Sequence, residues 1–296
     1  MSMLRDNPEK VITKEIQKFV AENPGNRDSR LNGMPYFEGP LVGFADAHDP
    51  LFETFKEIIG DFHLTPVEVL DRFFPDHEGS WNGASVISWI LPIGASVRES
   101  NRRETRCSSE AWLITKSFGE EFNIKLAEHM ASFLTEQGFY ALVRPLSPFF
   151  EIVMTEDAGF AANWSERHVA YVAGLGTFSL SGALITERGA AMRCASVVTN
   201  LQLQPTPRRY TDFREYCLFY SANGCGKCIP RCPGGAISEE GHNKELCMIH
   251  CASVSQEIEG STGGMPGCGL CQTAVPCEAK IPRNRSQESE DRNQNK

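Results

Sequence analysis

No run of about 18 apolar residues occurs in these 296 residues, so no membrane-spanning helix is expected. The opening MSMLRDNPEK has neither an apolar signal core nor a twin-arginine pair, and a cytoplasmic location is the expectation. Basic residues are in deficit: 29 Lys and Arg against 38 Asp and Glu leave a net charge of -9. A general nucleic-acid surface would carry the opposite balance. A P-loop, a complete G-x-G-x-x-G and a Ser–His–Asp arrangement are all missing, so those routes to phosphate binding and triad hydrolysis are not indicated.

What the chain has is cysteine, crowded into one stretch. Nine of the eleven lie between Cys217 and Cys277. A reducing compartment keeps thiols free and the count is odd, so metal ligation is expected before a disulfide scaffold. The stretch reads C-G-K-C-I-P-R-C-P (Cys225 to Pro233), C-M-I-H-C (Cys247 to Cys251) and C-G-L-C-Q-T-A-V-P-C (Cys268 to Cys277). Separated C-x2-C pairs, one running into C-x3-C-P, are how a chain wraps two cubane iron–sulfur clusters, the Cys before Pro crossing to the other cluster. Cys225 and Cys228 should then share one cluster with Cys277, and Cys268 and Cys271 the other with Cys232. Cys217 would complete the first and Cys247 the second, with Cys251 spare and able to exchange with Cys247. Cys217 stands five residues before the usual first position, which is Ala222. Either it reaches in over a longer loop or the first cluster has three thiolates. Paired C-x2-C knuckles also bind zinc, but one zinc would use four cysteines and leave the others idle.

Ahead of the cysteines the pattern is that of a mixed domain. Val11 to Val20 recurs at helical spacing. Pro and Gly punctuate Asn23 to Pro50, which reads as irregular. Short helices are expected at Leu51–Ile59 and Pro66–Phe74, the latter capped by Thr65. Ala84–Leu91 reads as a buried strand, Ser109–Glu136 as a long helix stopped by Gly138, and Phe139–Val143 as a strand. Ser165–Ala173 reads as a helix, and Ala183–Thr186 and Met192–Thr199 as strands. Strand–helix–strand order implies an α/β layer. Arg98, Arg102, Arg103 and Arg106 read as a solvated loop. A boundary is expected near Pro205-Thr-Pro207, giving an α/β domain over 1–204, a cysteine module over 205–281 and a disordered polar tail over 282–296.

The segment W-S-E-R-H-V-A-Y-V-A-G-L-G-T-F-S-L-S (Trp164 to Ser181), followed by the cysteine motifs, resembles the epoxyqueuosine reductase and reductive dehalogenase superfamily over roughly residues 80–280. The spacing of Glu166-Arg167 and Gly174-Leu175-Gly176 carries the likeness. The resemblance implies an α/β (α+β) cobalamin-binding domain with a C-terminal ferredoxin-like module. It also implies two [4Fe–4S] clusters that feed the cobalamin, and Gly174, Leu175, Gly176 and Thr177 near its ring. Glycine there would permit close backbone approach, although Gly-Leu-Gly is also a plain helix stop. At the position of the family's proton-donating Asp this chain has Phe160, with Asp157 the nearest acid. His168 and Tyr171 are the other candidate donors. The bland alternatives are a hydrogen-bonded helix His and a core Tyr.

The function expected is an iron–sulfur, cobalamin-dependent reductase that removes an epoxide, a halide or a similar group. The partners expected are an electron donor of ferredoxin or flavodoxin type and a small-molecule or modified-nucleoside substrate, with tRNA disfavoured by the acidity. The alternative is an electron carrier that reduces a partner's corrinoid protein and has no substrate of its own. Cys194, in an apolar strand, reads as a buried structural thiol.

Overall fold

The computed structural model describes residues 4, 6–143, 150–155, 159–255 and 267–283. The helices, in chain order, are α1 Pro8–Glu22, α2 Leu51–Ile59, α3 Pro66–Phe73, α4 Ala95–Arg102, α5 Glu110–Glu136, α6 Glu166–Val172 and α7 Lys244–Ser255. The first five strands are β1 Leu41–Asp46, β2 Ser85–Pro92, β3 Ala141–Leu142, β4 Ile152–Thr155 and β5 Gly159–Ala162. The rest are β6 Gly176–Phe178, β7 Leu184–Thr186, β8 Met192–Thr199, β9 Ile237–Ser238 and β10 Gly241–His242. The described residues form two compact units. One gathers Met1–Gly94, Thr115–Leu175 and Arg193–Arg209, the other Ala95–Ile114, Gly176–Met192 and Tyr210–Lys296. The last crossing, after Arg209, lies near the boundary expected from composition, but two earlier segments also join the cysteine-rich unit.

The first unit is built on a four-stranded sheet in the order β1-β2-β8-β3. Every residue of β2 is buried, as befits an apolar run covered on both faces. β1 pairs antiparallel with it, Leu41 opposite Ile90 and Asp46 opposite Ser85. This strand lies inside the stretch expected to be irregular, and Gly43 explains why it was hidden. A β-carbon there would clash with the carbonyl of Ala173 and the side chain of Leu175, so the position that breaks the strand pattern is what admits the end of α6. α3 opens with the cap expected of Thr65, and Glu68 completes it as a capping box: Glu68 N donates to Thr65 Oγ1 at 3.2 Å and Thr65 N to Glu68 Oε2 at 2.8 Å. α1 buries Ile12, Ile16 and Val20, four residues apart along one face, and stacks Phe19 near Phe122, 5.6 Å between ring centres.

The second unit has little regular structure. β6 and β7 form an antiparallel pair, Gly176 opposite Thr186, and a small core gathers Leu180, Ala183, Ile185, Ala190, Cys217 and Ile237. The arginines expected in a solvated loop begin on α4 instead. Arg98 is buried and lies 3.5 Å from the Glu278 carboxylate, and Arg102 donates to the same carboxylate at 2.6 Å. The expectation failed because the partner acid lies some 176 residues further along the chain.

Candidate functional site

Cys217, Cys225, Cys228 and Cys277 line one cavity of about 360 Å³, open mouth included, in the cysteine-rich unit. Leu180, Ile185, Phe219 and Val275 contribute to its apolar wall. The long reach from Cys217 to Cys225 is taken up by a π-helical turn over Phe219–Asn223, after which Gly224 turns the chain in the left-handed region at φ 62°. Such wide turns are a common local device at functional sites. Burial pushes the Cys228 thiol up to about 11, with Cys217 and Cys225 adding to the rise. Burial likewise pushes Cys277 up to about 12, again with Cys217, Cys228 and Cys225 as its neighbours. These thiols hold their protons unless a cation stands among them.

A second gathering involves Cys232, Cys268, Cys271 and the two cysteines of α7. Burial raises Cys268 to about 11, with Cys251 and Cys232 as its thiol neighbours. Burial raises Cys271 to about 12, with Cys268, Cys232 and also Cys228 adding to the rise. Cys247 is raised chiefly by a hydrogen bond with Cys251, then by burial and by Cys271 and Cys232. Ala236 N donates to Cys232 Sγ at 3.2 Å, the kind of bond that tunes a cluster's potential. His250 buries its Nε2 without a hydrogen-bond partner among the described residues, and its Cβ fills the space where Gly234 lacks one. Among the described residues no three His, Cys, Asp or Glu side chains stand close enough to hold a single metal ion.

The loops that carry these thiols are pinned by charge. Arg231, between Cys228 and Cys232, donates to the carbonyls of Glu104 at 2.7 Å, Thr273 at 3.1 Å and Leu270 and Asn101 at 3.3 Å. Glu278, next to Cys277, takes both α4 arginines and the Ala274 N–H at 2.9 Å. Ala190 N donates to the Cys277 carbonyl at 2.8 Å. Gly269 is required twice over: its φ is +65°, and a β-carbon would strike the Trp112 ring.

The residues nominated for cobalamin are engaged by the protein's own packing. Gly174 ends α6 at φ +76°, its bare α-carbon facing the carbonyls of Thr206 and Pro207. A β-carbon on Gly176 would clash with the carbonyl of Ile185. Leu175 is buried, and the fully buried Thr177 accepts from Tyr216 N at 2.9 Å. None of the four is free to offer a side chain to a ligand. His168 bonds Ser165 through Nδ1 at 2.7 Å and stands edge-on to Phe55, while Tyr171 is half-buried on the same helix. Asp157 lies outside the described residues, as do positions 284–296 of the expected tail. Phe160 is on β5, partly exposed.

Sequence reasoning missed the acid of the first unit. Glu166 begins α6; the residue keeps some surface, but its carboxyl is enclosed. It accepts from Ser196 Oγ at 2.6 Å and from Trp164 Nε1 at 3.1 Å. Burial pushes this carboxyl up to about 8, the two hydrogen bonds opposing and Glu120 assisting the rise. It therefore holds a proton near neutrality, a property that clusters at functional sites. The only sequence signal was its place in the Trp164–Ser181 segment.

No family model matches the chain. Among curated proteins it is 34% identical over 185 residues to a tetrachloroethene reductive dehalogenase of Desulfitobacterium hafniense, which covers 61% of this chain and 28% of that one. It is 26% identical over 200 residues to the epoxyqueuosine reductase of Bacillus subtilis, 65% of this chain and 47% of the relative. The chain is similar in sequence to both reductases. That similarity agrees with the likeness read from Trp164–Ser181 and the cysteine spacing. The chain spans less than two thirds of the length of these relatives. Among solved structures, one of epoxyqueuosine reductase from Bacillus subtilis aligns with 91% of this chain and 66% of its own at 16% identity, with a TM-score of 0.48. No helix among the described residues is long and apolar enough to cross a membrane.

Proposed function

We propose that this chain is an iron–sulfur reductase holding two [4Fe–4S] clusters. One would be held by Cys217, Cys225, Cys228 and Cys277, the other by Cys232, Cys268, Cys271 and a cysteine of α7. The cavity lined by the first four thiols carries the reading. A zinc ion draws four sulfurs to about 2.3 Å from one centre. A cubane instead gives each iron its own thiolate, so its ligands stand wider apart. Four thiols around a cavity of about 360 Å³, with no three side chains among the described residues tight enough for one ion, suit the cubane. His250, next to Cys251, buries an Nε2 with no hydrogen-bond partner among the described residues; with the ring proton on that nitrogen it would be a donor for a cluster sulfide.

Bound clusters supply one-electron transfer, and two of them can hold the electron pair that a reductive removal consumes. Loss of a halide takes two electrons and one proton; loss of an epoxide oxygen as water takes two electrons and two protons. The chain's own contribution is the ligand geometry, the apolar shielding of the thiols and a proton reservoir at Glu166. An external donor of ferredoxin or flavodoxin type would refill the clusters, and the substrate would be a small molecule or modified nucleoside. Cobalamin as the electron acceptor rests on the family resemblance. The Gly174–Thr177 segment packs against the chain's own carbonyls and would offer such a ligand backbone rather than side chains.

That same packing favours a second reading, an electron carrier that reduces a partner's corrinoid. One experiment tests both. The anaerobically reconstituted protein should hold about eight iron and eight sulfide; stoichiometric zinc without sulfide would defeat the cluster reading. Titration with hydroxocobalamin should then shift its visible spectrum if the chain is the reductase itself. Intact clusters with no shift at micromolar concentration would transfer the assignment to the carrier.

A further inference from the structure

The second site has one thiol too many. Cys232, Cys268 and Cys271 come from the loops, and α7 brings both Cys247 and Cys251, so five thiols face four irons. Residues four apart on a helix share a face, with about 5–6 Å between β-carbons. Here the two thiols hydrogen-bond each other. α7 lies against the loop after Cys232, where a β-carbon on Gly234 would meet the Cβ of His250. Both thiols also act electrostatically on the loop cysteines, Cys271 and Cys232 on Cys247 and Cys251 on Cys268. The rest of α7 shows which side is held, because Leu246, Met248 and Ile249 are exposed while both cysteines are half-buried.

We propose that Cys247 and Cys251 are interchangeable ligands of one iron in the second cluster, either sufficing to complete its four thiolates. This inference rests on the iron–sulfur reading above. Exchange needs no oxidant. The incoming thiol forms its Fe–S bond as the outgoing one breaks. Its proton passes along the shared hydrogen bond to the departing sulfur, and the iron keeps its charge. The arrangement gives the cluster a reserve ligand when one thiol is lost to oxidation or alkylation.

The test uses the full chain, reconstituted anaerobically as wild type, Cys247→Ala, Cys251→Ala and the double variant. Iron and acid-labile sulfide are counted and the paramagnetic signals of the reduced clusters recorded. Wild type and both single variants should hold about eight iron, and the double variant about four to seven. The first cluster, retained in every variant, reports that the protein has folded. Loss of the second cluster in one single variant alone would identify a fixed ligand and overturn the inference. So would a double variant that keeps both clusters. A wild type without about eight iron and sulfide would instead sink the underlying reading, a different failure from either of these.

Discussion

Replacing Glu166 with Gln tests whether this chain stores a proton in its first unit. Gln keeps the shape but cannot ionise; its Oε1 can accept from Trp164 Nε1 while its amide N–H donates to the Ser196 hydroxyl, which rotates to accept. In the wild type the carboxyl rises from 4.5 to about 8, with burial as the main cause. The sign follows from linkage. Below about pH 4.5 the group is neutral folded and unfolded, and burial takes no toll through ionisation. As pH rises towards 8 the unfolded chain releases the proton and the folded chain retains it, so stability falls. Each tenfold difference in proton affinity between the folded and unfolded chain is worth about 1.4 kcal/mol, so the full effect is about 5 kcal/mol, reached near pH 8 and constant above it.

The measurement is the difference in denaturant midpoint between wild type and Glu166→Gln, taken anaerobically across pH 4 to 9. The variant should gain on the wild type by about 1.4 kcal/mol per pH unit between about pH 5 and 8. Infrared difference spectra should show a protonated-carboxyl band in the wild type at pH 7 that is missing in the variant. A constant difference across pH, or a band untouched by the substitution, would refute the reasoning. If the proton is also used in turnover, the variant's reductase rate should fall while cluster content holds.

Three other outcomes are expected. His63 is fully buried with no hydrogen-bond partner for either ring nitrogen among the described residues, and burial pushes it down to about 4. The protein should therefore lose about 3 kcal/mol as pH falls from about 6.5 to 4, and His63→Phe should remove that loss and be no less stable at pH 7 by equilibrium denaturation. Glu278→Ala removes the carboxylate that lies 3.5 Å from the buried Arg98 and accepts from Arg102 at 2.6 Å, and should destabilise by about 3–5 kcal/mol, read as earlier bleaching of cluster absorbance in denaturant; an unchanged transition would discount the ion pair. Cys228→Ala should lower the iron count from about eight to about four or, as a three-iron remnant, seven, and a full count would exclude Cys228 from the first ligand set.

The sequence exposed what is encoded locally. Thr65-Pro66 with Glu68 is a complete capping signal within four residues, and the apolar run of β2 needs no partner to be seen. The cysteine spacing is local in the same sense, since a C-x2-C pair fixes its own geometry. Hidden features depend on residues far apart. Arg98 and Arg102 look like surface charge until Glu278 is brought to them. Glu166 looks like an ordinary first-turn acid until Ser196 and Trp164 enclose it. Gly43 disguised a strand because its reason is the carbonyl of Ala173, more than a hundred residues away. Gly174 and Gly176 carry the opposite lesson. Their motif invites a ligand, and the chain's own carbonyls of Thr206 and Ile185 also come close to the bare α-carbons. A bare α-carbon records that something comes close, and only the fold shows whether that is a cofactor or the chain itself. The cysteines differ in that a thiol is itself a donor, and nine of them crowded between Cys217 and Cys277 make a chemical claim that two glycines cannot.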